Sequence, residues 1–226
     1  MAFWDPGSVF SSMRIALINE DSQADKNSLI YEVLTKIAHK YAHTVDNYGM
    51  FTEKDPYQIN YIQVGILASI ILDTDMADFV VTGCGTGQGA MISCNAFQNV
   101  ICGYASSPLD AYLFSQINAG NAISIPYAQQ FGWGSEINLE MIFEQLFSHP
   151  FGQGYPQKFA NEESISRVKM STDIKERTQR PVLEALKELD QKSLKHLIGS
   201  DAFRTAFEKR DPQGETADYI RSLLNN

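Results

Sequence analysis

The segment Gly83-Cys-Gly-Thr-Gly-Gln-Gly89 puts a thiol, a hydroxyl and four glycines within seven residues. Phe79-Val-Val-Thr82 before it reads as a buried strand, and Ala90 to Asn95 after it as a helix. Glycine permits positive φ and lets a ligand approach the backbone closely. Successive N–H groups at a helix start form a site for an anion or oxyanion, and the same dipoles favour a cysteine thiolate. A thiolate base at Cys84, a hydroxyl shuttle at Thr86 and the amides of Gly85, Gly87, Gln88 and Gly89 suit proton abstraction next to a carbonyl. The amides would stabilise the enediolate oxygen as charge develops. A P-loop is excluded, because it ends in Gly-Lys-Ser/Thr and here Gly89 is followed by Ala90 and Met91. A dinucleotide fingerprint fits poorly: counted from Gly83 the third glycine position is Gln88, from Gly85 it is Ala90, and the loop follows the third strand rather than the first. A nicotinamide or flavin role and a ligand-free tight turn remain open beside the catalytic reading.

Those residues need a frame. Largely apolar runs at 14–18, 79–82, 100–104 and 122–125 read as strands, and His43 to Asn47, ended by Gly49, as another. Helices are expected around 29–37, over 56–73 with Pro56 in the first turn, and over 90–95, 109–118 and 135–147, the last capped by Gly134 or Ser135. Strand–helix alternation implies an α/β fold, a Rossmann-like three-layer arrangement around a parallel sheet of about five strands. Ligands bind such sheets beyond the carboxyl ends of the strands, and the polar clusters 19–22, 83–89 and 118–121 are expected at such ends or beside them. The turn-rich Phe151-Gly-Gln-Gly-Tyr-Pro156 marks a boundary, followed by charged helical stretches at 161–178, 181–197 and 199–209 and a short last one. Three parts follow: a leader over 1–12, a core over 13–150 and a helical extension over 151–226.

Bulk properties limit the function. The net charge of −9, from 18 basic and 27 acidic residues, argues against nucleic-acid binding. No Lys or Arg lies between Lys54 and Lys158. Cys84, Cys94 and Cys102 have no metal-type spacing, and their odd number argues against a disulfide framework. A reducing cytoplasm is the expected setting, with no membrane span. Cys94 and Cys102 read as small core side chains, His39 and His43 as surface or capping groups, and Trp133 as a loop anchor or a sugar platform.

The strand followed by Cys84-Gly-Thr-Gly-Gln-Gly89, with Asn95 six residues on, resembles the ribose-5-phosphate isomerase B and galactose-6-phosphate isomerase family over about residues 13–147. Asn118-Ala-Gly-Asn121 before a strand and Asp55-Pro-Tyr57 add to the likeness. The resemblance implies aldose–ketose isomerisation of a sugar phosphate or sugar through a cis-enediolate. Cys84 would be the general base, Thr86 would move hydroxyl protons, and Glu20, Asp21, Gly85, Gly87, Gln88, Gly89, Asn95, Asn118 and Asn121 would bind substrate. It also implies no metal, no cofactor, and a homodimer or homotetramer with sites at the subunit interface.

The shell departs from the family pattern. Where the first loop usually reads Ser-Asp-His-Ala-Gly, this chain has Asn19-Glu-Asp-Ser-Gln23. The ring-opening histidine position is Ile117, a usual arginine position is Ile101, and the arginine cluster after the core is replaced by Gln153-Gly-Tyr-Pro-Gln-Lys158. Either Lys158, Arg167 or Lys169 supplies the phosphate cation, from the same or a neighbouring chain, or the substrate is not a pentose phosphate and Glu20 and Asp21 hold hydroxyls. Ring opening then falls to Asp21, or the sugar enters in open-chain form. A sugar-binding or regulatory homologue that kept the fold and lost the chemistry is the alternative.

Overall fold

The computed structural model describes residues 12–129, 131–156, 158, 160 and 162–225; the expected leader lies outside the described residues except for Ser12. Strands β1 (Arg14–Asn19), β2 (Thr44–Asn47), β3 (Phe79–Cys84), β4 (Cys102–Tyr104) and β5 (Ala122–Pro126) form one sheet in the order β2-β1-β3-β5-β4. Every pairing is parallel. Strand β1 lies between β2 and β3, so the chain winds outward in both directions from the β1–β3 pair. The carboxyl ends of these two strands form the topological switch point at which such sheets bind ligands.

Side-chain alternation along each strand divides the core in two. Ile15, Leu17, Phe79, Val81, Ile123 and Ile125 pack under α1 (Asn27–Lys40), α4 (Pro108–Leu113) and α5 (Ser135–Phe147). Ala16, Ile18, Val80 and Ala122 pack under α2 (Tyr61–Asp73) and α3 (Gln88–Asn95). That second cluster continues into the C-terminal helices α7 (Val182–Glu188), α8 (Gln191–Ile198), α9 (Asp201–Arg210) and α10 (Glu215–Leu224), where Leu186, Leu194, Leu197, Phe203, Phe207 and Ile220 are buried. Each such side chain contributes about 1.5–3 kcal/mol on burial. Helix α6 (Glu162–Thr178) is tied down by polar contacts: Lys175 Nζ donates to the carbonyls of Asn95 and Val100, and Gln98 Nε2 donates to the carbonyl of Glu176. No described helix is long and apolar enough to cross a membrane.

Local capping moves three expected boundaries. The helix expected from residue 56 begins at Tyr61, because Asn60 caps it: its side chain accepts the amides of Ile62 and Gln63 while Gln63 reaches back to the Asn60 amide. Pro56 instead lies in a loop where Asp55 accepts the Phe51 amide and the Thr52 hydroxyl. The stretch 181–197 is two helices, since Asp190 starts a new one by accepting the Ser193 amide at 2.8 Å. The helix expected over 109–118 stops at Leu113 and widens into a π turn over Phe114–Asn118, closed by Ala119 at φ 46°.

Candidate active site

Strand β3 runs out at Cys84, and the glycine segment turns the chain back into α3. Two amides converge on the Cys84 carbonyl, Tyr127 at 2.9 Å and Gly87 at 3.3 Å. Ala128 donates to the Gly85 carbonyl at 3.0 Å, and the Ser124 hydroxyl to the Gly87 carbonyl at 2.6 Å. Segment 83–89 and the loop after β5 are therefore stitched together. Gly87 stands at the start of α3 with φ 71°, a left-handed conformation that costs other residues about 1 kcal/mol or more. At Gly83 a Cβ would overlap the Ile125 carbonyl oxygen and the Tyr127 ring, so only glycine fits there. Cys84 is 6 % exposed, whereas Thr86 and Gln88 face outward, with the Gln88 amide 3.4 Å from the Thr86 hydroxyl.

The open side of the turn is at Gly85. The position of a Cβ there lies 3.7 Å from the Ala128 methyl, 3.7 Å from Gln23 Nε2 and 4.0 Å from Ser22 Oγ. Loops from the carboxyl ends of β1, β3 and β5 thus meet around one backbone position next to Cys84. Behind this mouth, Glu20 is 2 % exposed; its carboxyl accepts the Ser22 amide at 3.1 Å and the Ser22 hydroxyl. Burial pushes the Glu20 carboxyl up to about 7; the bonds from Ser22 oppose the rise and Asp21 adds to it. Near neutral pH this group holds and releases a proton. Asp21 is exposed, its amide bonded to the Ile59 carbonyl at 2.8 Å. Tyr127 is fully enclosed against Gly83; burial drives its phenol up, and the Asn19 amide opposes that rise.

Three expected substrate ligands lie elsewhere in this chain. Asn118 and Asn121 precede β5 and Asn95 precedes β4, which places them towards the amino edge of the sheet, opposite the glycine segment. The 118–121 cluster is therefore not at a carboxyl end. Asn95 accepts the Cys102 amide at 3.0 Å and donates to the Cys102 carbonyl at 2.8 Å. Asn121 accepts the Ile101 amide and donates to the Asn99 carbonyl, both at 2.8 Å. These two side chains fasten strand starts. Asn118 is exposed at the end of the π turn. Arg167 and Lys169 sit on α6 beside Val168, which lines a cleft of about 500 Å³ with Arg14, Asp78 and Asn121 on that same amino edge. Tyr48 is buried near Asp46 and Arg210, and Tyr57 packs on His196. His43, read as a surface group, is buried: its Nδ1 accepts the Met13 amide and burial lowers its pKa. Cys94 and Cys102 are buried too.

The sequence pattern placed Ser22 and Gln23 in the first polar loop without a role, and it did not single out Lys26, Tyr127 and Ala128. Lys26 Nζ donates to Gln23 Oε1 at 2.7 Å and lies 5.5 Å from the centre of the Phe131 ring. The available signal was position, since all five lie within eight residues after the end of β1 or of β5, the two strands that flank β3.

A family model described as Ribose/Galactose Isomerase matches residues 15–169. Among solved structures, the chain is similar to a 4-deoxy-L-threo-5-hexosulose-uronate ketol-isomerase complexed with a tartrate, at 46% identity over 95% of this chain and 100% of that one, with a TM-score of 0.90. It is also similar to a ribose-5-phosphate isomerase from Vibrio parahaemolyticus, at 43% identity over 95% and 100% of the two chains, with a TM-score of 0.90. A type B ribose 5-phosphate isomerase from Leishmania infantum shares the fold at 21% identity over 75% of this chain and 100% of that one, with a TM-score of 0.60. No curated protein matches the chain.

Proposed function

The chain belongs to the ribose/galactose isomerase family and is a sugar isomerase, and from that premise we propose that it interconverts the aldose and ketose forms of an open-chain sugar acid, with Cys84 as the base. The observation that carries the reading is the meeting of three carboxyl-edge loops around Gly85, next to the Cys84 thiol. In this reading the thiolate removes the proton from the carbon beside the carbonyl and returns it to the neighbouring carbon. Thr86, which is exposed beside Cys84, passes a proton between the two substrate oxygens. The amides of 85–89 hold the enediolate oxygen. A positioned base supplies about 10²–10⁴ in rate, and one donor on a developing oxyanion about 3–4 kcal/mol.

The substrate class rests on two supports. One neighbour acts on a hexosulose uronate, which has two carbonyl carbons and a carboxylate. Such a sugar needs no ring-opening histidine, in keeping with Ile117 at that family position. Phosphate sites favour arginine forks, and four arginines of this chain are engaged elsewhere: Arg14 with Asp75 and Asp78, Arg180 with Glu188, Arg210 with Asp46, Arg221 with Asp218. We further propose a dimer or tetramer that closes the site. Tyr61, whose ring rests against Gly89, and the neighbouring Ile62 and Ile92 are exposed apolar groups beside the loop. The three free cysteines fit a reducing cytoplasm.

The test is a comparison of turnover by NMR for the hexosulose uronate, ribose 5-phosphate and galactose 6-phosphate. The sugar acid should be preferred in kcat/KM by about a hundredfold, or about 2.7 kcal/mol. Preference for either phosphate would overturn the substrate assignment, and no turnover of any of them would favour a binding protein.

A further inference from the structure

Resting on the sugar-acid reading above, we propose that Lys26 is the cation that anchors the substrate carboxylate, held at the mouth of the glycine segment by Gln23 and Phe131. The geometry is a short relay. Gln23 Nε2 stands 3.7 Å from where a Gly85 Cβ would project, and Gln23 Oε1 accepts from Lys26 Nζ at 2.7 Å. The ammonium therefore lies one side chain away from the position where the three loops meet. Phe131, from the loop after β5, faces the same ammonium at 5.5 Å. A cation over an aromatic face is attracted by the ring and is partly stripped of water. Lys26 is accordingly 19 % exposed, while Lys36 and Lys40, on the outer face of α1, are 62 % and 57 % exposed.

Asp25 already touches this ammonium, at 3.0 and 3.2 Å. Its side chain is 60 % exposed and adjacent in sequence, so solvent competes for it. An ammonium has three donors, and Gln23 and Asp25 leave room for a substrate oxygen to share or replace the Asp25 contact. Asp55, on the loop after β2, and Asp110, in the first turn of α4, are taken up by local backbone and hydroxyl donors. Two other acidic groups flank this mouth in the same loop as Lys26, Glu20, whose carboxyl faces Ser22, and Asp21, which is exposed. Without a cation they would repel a sugar acid. Lys26 offsets that repulsion on the side where Gln23 reaches the mouth. Its role is binding and orientation: the carboxylate end is held at the β1–β5 side of Gly85, and the carbonyl end is left over Cys84.

The experiment uses the full chain and the variants Lys26→Met, which keeps the stem and removes the charge, and Lys26→Arg. Binding of tartrate and of inorganic phosphate is measured by calorimetry at low ionic strength, with turnover of the uronate and of its C6 primary alcohol measured in parallel. Lys26→Met should keep the wild-type thermal midpoint and weaken tartrate about tenfold, which is about 1.4 kcal/mol. It should raise KM for the uronate by a similar factor, change kcat little, and leave the alcohol unaffected. Lys26→Arg should restore most of the affinity, and wild-type protein should prefer tartrate to phosphate. Equal tartrate binding by wild type and Lys26→Met, an equal loss for the alcohol, or a preference for phosphate would each overturn the proposal. So would a wild-type Kd for tartrate above about 10 mM. Loss of turnover with tartrate binding and its Lys26 dependence intact would count against the isomerase assignment alone.

Discussion

Replacing Glu20 by glutamine tests the electrostatics of the mouth quantitatively. Glutamine fits the same contacts: its oxygen accepts the Ser22 amide, and its amide group donates to the Ser22 hydroxyl, which turns from donor to acceptor. What changes is the charge. The native carboxyl titrates at about 7 against an ordinary value of 4.5. Between those values the folded Glu20 carboxyl holds more proton than the unfolded one, so the contribution of Glu20 to stability falls as pH rises from 4.5 to 7 and is level above that. The gap corresponds to at most about 3 kcal/mol, and relaxation of the surroundings about the buried carboxylate reduces this to about 1–2 kcal/mol. Glu20→Gln should match wild type near pH 4.5 and exceed it by that amount at pH 8, a rise of about 2–8 °C in thermal midpoint for a chain of this size. Chemical denaturation at both pH values and one protein concentration measures it. A stability difference that is the same at pH 4.5 and pH 8 would refute the reasoning.

Two glycines of one segment should separate fold from function. Gly83→Ala drives a methyl into the Ile125 carbonyl and should cost about 3 kcal/mol or more, read by denaturant midpoint. Gly85→Ala makes only ordinary contacts, so stability should stay within about 1 kcal/mol; its methyl fills the mouth, and kcat/KM should fall about a hundredfold. Asn95→Ala unfastens the Cys102 backbone and should lose about 1–3 kcal/mol of stability with kcat unchanged. A reduced kcat at full stability would return Asn95 to the substrate site.

The sheet was legible because apolar runs and glycine-rich turns alternate strongly, and Phe79–Thr82 running into Gly83 marks a strand end in any reading. The start of α2 was not, because Pro56 gives a helix signal that the Asn60–Gln63 capping box overrides three-dimensionally. Cys84 and the glycines stood out by composition. Asn95, Asn118 and Asn121 were placed by family likeness, yet which edge of the sheet they occupy depends on whether they precede or follow a strand. Ser22 and Gln23 fall in the family's first loop with other residue types and Lys26 lies beyond it, so their role emerges only when the loop after β1 folds against Gly85. The burial of Glu20, which sets its proton affinity, is a tertiary property invisible in Asn19-Glu-Asp-Ser.

Solvent deuterium incorporation at the carbon beside the substrate carbonyl tests the central claim most directly. Wild-type protein in heavy water should exchange that position at or above its turnover rate, and Cys84→Ala, with unchanged thermal midpoint and tartrate affinity, should lose exchange by about 10²–10⁴. Exchange at the wild-type rate in Cys84→Ala would contradict the assignment of Cys84 as the base.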